Sequence, residues 1–111
     1  MEMFVDVLGT LYSIEHSNKV DDVSLENFDG YCDSSIKKII IDTFKNYEGQ
    51  PNALENLNEY EKQVIRHELV HAFLFESGLS SNSWAKDEEI VDWIALQFPK
   101  LLKAFKQCGA I

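Results

Sequence analysis

The first half of the chain alternates short apolar runs with turn residues, a pattern typical of β-strands. Residues 3–16 are rich in β-branched and aromatic side chains and are interrupted at Gly9, which favours a strand. A polar stretch over residues 18–29 precedes a second predicted strand around residues 31–34. The run over residues 36–44 contains three consecutive isoleucines and predicts a strand that is buried on at least one face.

From about Asn58 the apolar positions follow a helical period instead. Residues 58–61 fit a capping box and residues 56–59 fit nearly as well, so Asn58 and Asn56 are both candidate N-caps. The helix is expected to end at Gly78, because glycine suits the left-handed conformation that follows many helices. Beyond Val64 the apolar residues cover most faces, which predicts that the second half of this helix forms the centre of the core.

A second helix is predicted to begin near residues 84–86, after a loop rich in serine and asparagine. Its apolar positions are Ile90, Val91, Ile94, Ala95 and Phe98. Pro99 lacks an amide donor and its ring crowds the preceding turn, so we expect a kink or a break there. Residues 101–106 would then form a further helical segment. Strands followed by helices indicate an α+β domain, with a small sheet of roughly three strands.

Composition and charge exclude several classes of function. The 111 residues have room for one domain over residues 1–111. With 19 acidic and 10 basic residues the net charge is −9, which argues against binding to nucleic acid or to an anionic membrane. The acidic N-terminus has no signal-peptide pattern. The two cysteines, Cys32 and Cys108, are far apart and are expected to be free thiols. We therefore expect a cytoplasmic protein.

The chemistry-bearing motif lies in the most apolar helix, where residues 67–71 read His-Glu-Leu-Val-His. Four residues of helix bring His67 and His71 to within about 40° of each other around the axis, one turn apart. Both imidazoles can therefore reach one ion, and Glu68 lies beside them without occupying a ligand position. Two histidines with an adjacent general base are the arrangement of a hydrolytic zinc site. The alternative is a buried helix that carries two histidines by chance.

A zinc site of this type needs a third protein ligand. Asp87, Glu88 and Glu89 offer carboxylates at the start of the second helix, where the helix dipole alone would also favour them. Helical phase places Glu89 on the face of Trp93 and favours it over Glu88, which is the second choice. Asp92 is suited to orient a ligand histidine through its other ring nitrogen.

Other polar residues are less informative. His16 is expected to be an exposed surface histidine. The four tyrosines are candidate hydrogen-bond donors to a developing oxyanion, but the sequence does not place any of them near the histidine pair. They are Tyr12, Tyr31, Tyr47 and Tyr60.

Residues 64–71, followed after a short loop by residues 89–95, resemble the ImmA/IrrE-like metallopeptidases, above all their short forms in bacteriophages and mobile elements. Those proteins carry HExxH on one helix and a glutamate within an apolar run on the next. The resemblance covers residues 60–98. It implies a zincin-like fold in which a small mixed sheet packs on the HExxH helix, and it implies that Glu89 is a gluzincin-like third ligand, in agreement with the helical phase.

We therefore expect a zinc metallopeptidase that hydrolyses a peptide bond in a protein or peptide substrate, with His67, His71 and Glu89 holding Zn²⁺ and Glu68 activating its water. Zincins pair extended substrate with an edge strand near the metal, and residues 36–42 are the candidate strand here. Core packing is the simpler account of its isoleucines. The alternative function is a non-catalytic zinc-containing binding module, phage or mobile-element encoded, that sequesters a partner protein.

Overall fold

A computed structural model describes residues 2–44, 57–79 and 84–111 of the chain. Within these ranges the chain forms a four-stranded sheet and two α-helices, so the α+β class is confirmed. In chain order the elements are β1 (Met3–Val7), β2 (Thr10–Ser17), β3 (Gly30–Asp33), β4 (Lys38–Asp42), α1 (Leu57–Glu76) and α2 (Glu88–Gln107). Short 3₁₀ helices occupy Val23–Leu25 and Trp84–Lys86, the latter where the sequence predicts the second helix to begin.

The sheet is mixed and has the strand order β1-β2-β4-β3, with β2 and β4 parallel and the other two pairs antiparallel. The run predicted as one strand over residues 3–16 is a hairpin. Leu8 and Gly9 form its two-residue turn, with φ of 52° and 90°, and a turn with two positive φ angles matches the twist of the flanking strands. The sheet therefore has four strands rather than roughly three.

β4 holds the isoleucine run at the centre of the sheet. It pairs with β2 on one side and with β3 on the other, and Ile39 and Ile41 are fully buried. The assignment of residues 36–42 as the substrate-pairing strand is therefore wrong, because both edges of β4 are already hydrogen-bonded. Core packing accounts for the isoleucines. The edge strand next to β4 is β3.

One face of α1 packs against the sheet. Val64, Glu68 and Ala72, spaced four residues apart, are its buried residues, and the two apolar ones join the isoleucines of β4 in the core. Phe73 and Phe75 are 41% and 38% exposed. The expectation that the second half of this helix would be buried on most faces is therefore wrong, because four short strands cover only one side of it.

The two ends of α1 differ in how well the sequence predicts them. The helix begins at Leu57, so Asn58 lies inside it and is not its N-cap, whereas Asn56 lies outside the described residues. At the other end Gly78 has a φ of 81°, and the amides of Gly78 and the next residue donate to carbonyls of the last helical turn. This Schellman motif confirms the predicted end. Residues 80–83 of the predicted loop lie outside the described residues.

α2 is one uninterrupted helix across Pro99. Asp87 caps its first turn by accepting a hydrogen bond from the amide two residues on (2.9 Å). The predicted break is wrong, and residues 101–106 belong to the same helix. Two physical reasons account for the continuous helix. The residues that flank Pro99 are good helix formers. The carbonyl of Ala95, to which Pro99 cannot donate because it has no amide hydrogen, accepts a hydrogen bond from Nε of Arg66 instead (2.6 Å).

The predictions for the cysteines and for His16 have different outcomes. Both cysteines are free, as predicted. His16 is partly buried rather than exposed, because its Nε2 lies 2.6 Å from a carboxylate oxygen of Glu61 on α1. Among the described helices, neither is long and apolar enough to span a membrane.

Glu76, the last residue of α1, ties the helix to the sheet. Its carboxylate accepts hydrogen bonds from the hydroxyls of Thr10 (3.1 Å) and Tyr12 (2.7 Å) on β2 and pairs with Nζ of Lys37 (2.9 Å). The hydrogen bond from Lys37, followed by that from Tyr12, holds the pKa of the Glu76 carboxyl below its ordinary value. These contacts therefore depend on the ionised carboxylate.

A Glu76→Gln variant is expected to be less stable than the wild type at neutral pH and to lose that difference in acid. Since the folded pKa is lowered, the carboxylate stabilises the fold above the ordinary glutamate pKa of about 4.3, and the contribution disappears as pH falls through the lowered folded pKa. Thermal unfolding from pH 7 to pH 3 measures the effect, with Glu59→Gln, an exposed change on the same helix, as the control. A stability difference that stays constant over this range would contradict the assignment.

Candidate metal centre

His67, Glu68 and His71 lie together on α1, where they line a cleft between β3 and the start of α2. One ligand atom from each residue lies within 4.8 Å of the other two. The two imidazoles approach most closely, since Nε2 of His67 and Nε2 of His71 are 3.2 Å apart. Two ring nitrogens bound at about 2.0–2.1 Å to one tetrahedral zinc ion would be about 3.3 Å apart. The helical spacing therefore brings both rings to one point, as the sequence predicts, at a separation that fits one ion.

Glu88, the second choice of the sequence analysis, faces both histidines. Its Oε1 lies 2.8 Å from Nε2 of His71 and its Oε2 lies 3.1 Å from Nε2 of His67. These two Nε2 atoms are the ones that face each other across 3.2 Å. The space next to both of them is called the shared point below, and the Glu88 carboxylate lies beside it. Imidazole nitrogen and carboxylate oxygen form the donor set of a hydrolytic zinc site. The three side chains thus fit Zn²⁺ both in chemistry and in separation.

Glu89 lies elsewhere on α2. Its side chain is exposed and its amide takes part in the N-cap with Asp87, and no contact to either histidine occurs within the described part of the chain. The preference for Glu89 assumed that the face of Trp93 points inward, but Trp93 is 54% exposed while Val91 is fully buried. The orientation of α2 therefore favours Glu88 as the third ligand. Glu89 stays a prediction, which the Glu88→Gln and Glu89→Gln variants test.

Asp92 contacts His67 from the side away from the shared point. Its Oδ1 lies 2.6 Å from Nδ1 of His67, and the ring has only two nitrogens, so Nε2 is left for the centre. A carboxylate in this position fixes the tautomer and the orientation of a ligand histidine. The structure thus places Asp92 where the sequence analysis expects it.

Glu68 is the buried carboxyl of the cluster, 7% exposed. Burial raises its pKa to about 7, the positive charge of a protonated His67 opposes the shift, and the carboxylates of Glu88 and Asp92 add to it. A carboxyl with a pKa near neutrality can both accept and release a proton at neutral pH. Burial also lowers the pKa of His71, which favours the neutral imidazole that binds metals.

Two adjoining cavities open onto this cluster. One, of about 450 Å³, is lined by His67, Glu68 and His71 on one side and by residues 30–32 of β3 on the other. The second, of about 290 Å³, extends from Glu68 past Tyr60 of α1. Phe28, 61% exposed, lines both cavities. An elongated molecule can therefore reach the histidines along β3.

Residues 30–32 and Phe28 line the site without having been predicted to lie near the histidines, although Tyr31 is among the candidate oxyanion donors. They carry no motif, and they reach the histidines only because β3 pairs with β4 beneath α1. Gly30 permits this approach, since an added Cβ would lie 2.9 Å from Cγ1 of Val64. A short run of mixed residues before the isoleucines gives no signal of that contact.

The described tyrosine hydroxyls are all hydrogen-bonded to carboxylates. Tyr12 donates to Glu76 and Tyr31 donates to Asp22. The remaining one, Tyr60, donates to Asp29, and Tyr47 lies outside the described residues. The geometry therefore does not single out a tyrosine as an oxyanion donor.

Comparisons with known proteins leave the family open. No protein-family model matches the chain, no curated protein matches it and no solved structure matches it. The zincin-like character and the resemblance to ImmA/IrrE-like metallopeptidases accordingly stay predictions that rest on residues 60–98.

Proposed function

We propose that this chain is a zinc-dependent peptidase in which His67, His71 and Glu88 hold the metal and Glu68 is the general acid and base. The observation that carries the proposal is the convergence of the two Nε2 atoms, 3.2 Å apart, with both oxygens of one carboxylate at 2.8 and 3.1 Å. When bound, zinc supplies a Lewis acid and lowers the pKa of a coordinated water.

The residues of the chain supply the proton transfers. Glu68 lies next to the shared point, with its Oε2 4.0 Å from Nε2 of His67, so it is close enough to serve a water there without replacing a ligand. It accepts the proton of the attacking water and delivers it to the departing amine nitrogen. Asp92 holds the His67 ring through Nδ1 and thereby keeps Nε2 directed at the centre.

The proposed substrate is an extended segment of a protein or peptide, lying along β3. Within the described residues β3 pairs only with β4, so its outer edge offers backbone donors and acceptors to an added strand. Residues 30–32 of β3 line the larger cavity together with both histidines, so a strand added there passes the centre. Main-chain pairing of this kind gives affinity with loose sequence preference, which suits the ImmA/IrrE-like resemblance on which the proposal also draws.

A non-catalytic zinc-containing binding module is the second candidate. It is favoured by the hydroxyls of Tyr12, Tyr31 and Tyr60, each of which is hydrogen-bonded to a carboxylate, so that none of the tyrosines in the described ranges is assigned to oxyanion stabilisation. Such a module would keep the same metal ligands and the same cleft. The two candidates differ in whether Glu68 is needed for the effect on the partner.

Peptide hydrolysis is expected to stop when the metal is removed and to return with stoichiometric zinc. The assay incubates the purified protein, without a histidine tag, with a pool of unstructured peptides and identifies new termini by mass spectrometry. A chelator-treated sample and the same sample given one equivalent of Zn²⁺ are run in parallel. Cleavage that persists at full rate in metal-free protein would contradict the proposed function.

A further inference from the structure

Pro99 leaves a buried carbonyl of α2 without its helical partner. In a regular helix the amide of residue 99 would donate to the carbonyl of Ala95, four residues earlier, and proline has no amide hydrogen. Ala95 is 1% exposed and lies on the side of α2 that packs against α1. A buried carbonyl without a donor is unfavourable, so a partner from outside the helix is needed.

Arg66 of α1 is that partner. Its Nε lies 2.6 Å from the carbonyl oxygen of Ala95, a short hydrogen bond from a charged donor, which is among the stronger kinds. Arg66 directly precedes His67 in the sequence. The bond therefore joins α2 to the turn of α1 that carries the candidate metal ligands.

Three residues of α2 that contact this part of α1 follow one helical face. Glu88, Asp92 and Ala95 are four and three residues apart, and they meet the two histidines, His67 and Arg66 respectively. The side chains of Glu88 and Asp92 are 62% and 66% exposed, so their contacts compete with water and hold the helix weakly. Of these contacts, the hydrogen bond from Arg66 to the Ala95 carbonyl is the one that is made to the backbone of α2.

Small shifts of α2 would separate the carboxylates from the histidines. The fully buried side chains of α2 are Val91 and Ala95, and Ile90 and Ile94 are half-buried, so the packing of α2 depends on a narrow apolar stripe. A slip by one residue moves the helix about 1.5 Å along its axis and turns each side chain by about 100°. Such a slip would carry Glu88 away from the shared point of the two rings.

We propose that Arg66 is a positioning residue: its bond to the Ala95 carbonyl, which Pro99 leaves open, fixes α2 along α1 so that Glu88 and Asp92 face the histidines. This inference rests on the proposed zinc site and adds to it the residue that aligns its two halves. Arg66 touches neither the metal position nor a substrate. Its contribution is therefore to zinc affinity through the position of α2.

The variants distinguish two roles of Arg66: holding α2 in position along α1, and merely donating a hydrogen bond to the Ala95 carbonyl. Arg66→Met keeps the apolar stem and removes the donor. Adding Pro99→Ala to it returns an amide hydrogen that can serve Ala95 within the helix. Lys62→Met, which removes the same charge from an exposed position of α1 (65% exposed), is the matched control. Zinc affinity is measured by competition with a chelator, and the melting temperature is measured on the metal-free proteins.

Arg66→Met is expected to weaken zinc binding about tenfold, the effect typical of residues that support metal ligands, and to lower the melting temperature. Loss of a positive charge near a cation site would by itself strengthen binding, so weaker binding reports a changed geometry. In Arg66→Met with Pro99→Ala the melting temperature should recover while the affinity stays about tenfold low. Recovery of the affinity together with the melting temperature would overturn the proposal, as would wild-type affinity in Arg66→Met.

A metal-free measurement keeps this inference distinct from the zinc site itself. The Nδ1 resonance of His67 in ¹⁵N NMR reports its bond to Asp92, and the chain has only three histidines to assign. In Arg66→Met with Pro99→Ala this resonance should move toward its position in Asp92→Asn. Wild-type protein that binds no zinc would refute the proposed function, and an unshifted His67 resonance would refute the role of Arg66.

Discussion

Replacing Glu68 by Gln is expected to lower the rate of peptide hydrolysis by about 10²–10⁴-fold while the zinc content stays unchanged. Gln has the shape of the ionised side chain, so it fits the same buried position (7% exposed), but its amide cannot accept and return a proton. The carboxylate of Glu68 lies within 4.8 Å of ring nitrogens of His67 and His71, and in the proposed function it activates water rather than holding the metal. Initial rates on a cleaved peptide measure hydrolysis, elemental analysis measures the zinc content, and a thermal melt checks that the fold is kept.

Glu61→Gln is the matched control for this prediction. It is the same chemical change on the same helix, at a residue that pairs with His16 on β2 and not with the cluster. Activity close to wild type in Glu68→Gln would exclude Glu68 as the general base. If Glu68→Gln lost hydrolysis but kept an effect on a partner protein, the non-catalytic binding module would be favoured. Loss of zinc in Glu68→Gln would mean that this residue helps to hold the metal.

Replacing Glu88 by Gln is expected to lower zinc affinity by more than the roughly tenfold to 100-fold typical of residues that only support metal ligands. The carboxylate loses its charge, and only one of the two oxygens that face Nε2 of His67 and Nε2 of His71 remains. His67→Ala, which removes a ligand outright, provides the reference for a destroyed site and should be purified without stoichiometric zinc. Competition with a chelator of known affinity measures all the variants.

Glu89→Gln distinguishes the sequence-based ligand from the one that the structure favours. It makes the same change one residue along α2, at an exposed side chain, and zinc affinity is expected to remain at the wild-type value. If instead Glu89→Gln lost zinc and Glu88→Gln kept it, the resemblance-based assignment would be correct and α2 would be rotated in the metal-loaded protein. Equal and small effects of both variants would exclude a third ligand from this turn of α2.

The sequence by itself determined the parts of this protein that depend on local spacing. The period of four between His67 and His71, with Glu68 between them, brings both rings to one point on any regular helix, because 3.6 residues complete a turn. Gly78 ended α1 as predicted, since a Schellman motif needs only a residue that adopts positive φ. The α+β class followed from the change of hydrophobic period after the isoleucine run.

Tertiary structure decided which parts of those elements meet. The choice between Glu88 and Glu89 depends on the rotation of α2, and that rotation is set by the burial of Val91 and Ala95 rather than by Trp93, the larger apolar residue. Apolar residues on several faces of a helix do not specify which face is covered. Sequence pattern alone therefore pointed to the neighbouring glutamate.

Long-range pairing likewise decided the cleft and the continuity of α2. β3 lines the larger cavity because β4 pairs with both β2 and β3, which places β3 at the edge of the sheet. The strand order cannot be predicted from the strand-forming residues of each segment alone. Pro99 lies in an unbroken helix because Arg66, 33 positions earlier, donates to the carbonyl that proline cannot serve. Local helical geometry therefore predicted that His67, Glu68 and His71 lie together, whereas contacts between distant segments decided which carboxylate of α2 faces the two histidines and which strand lines the cleft.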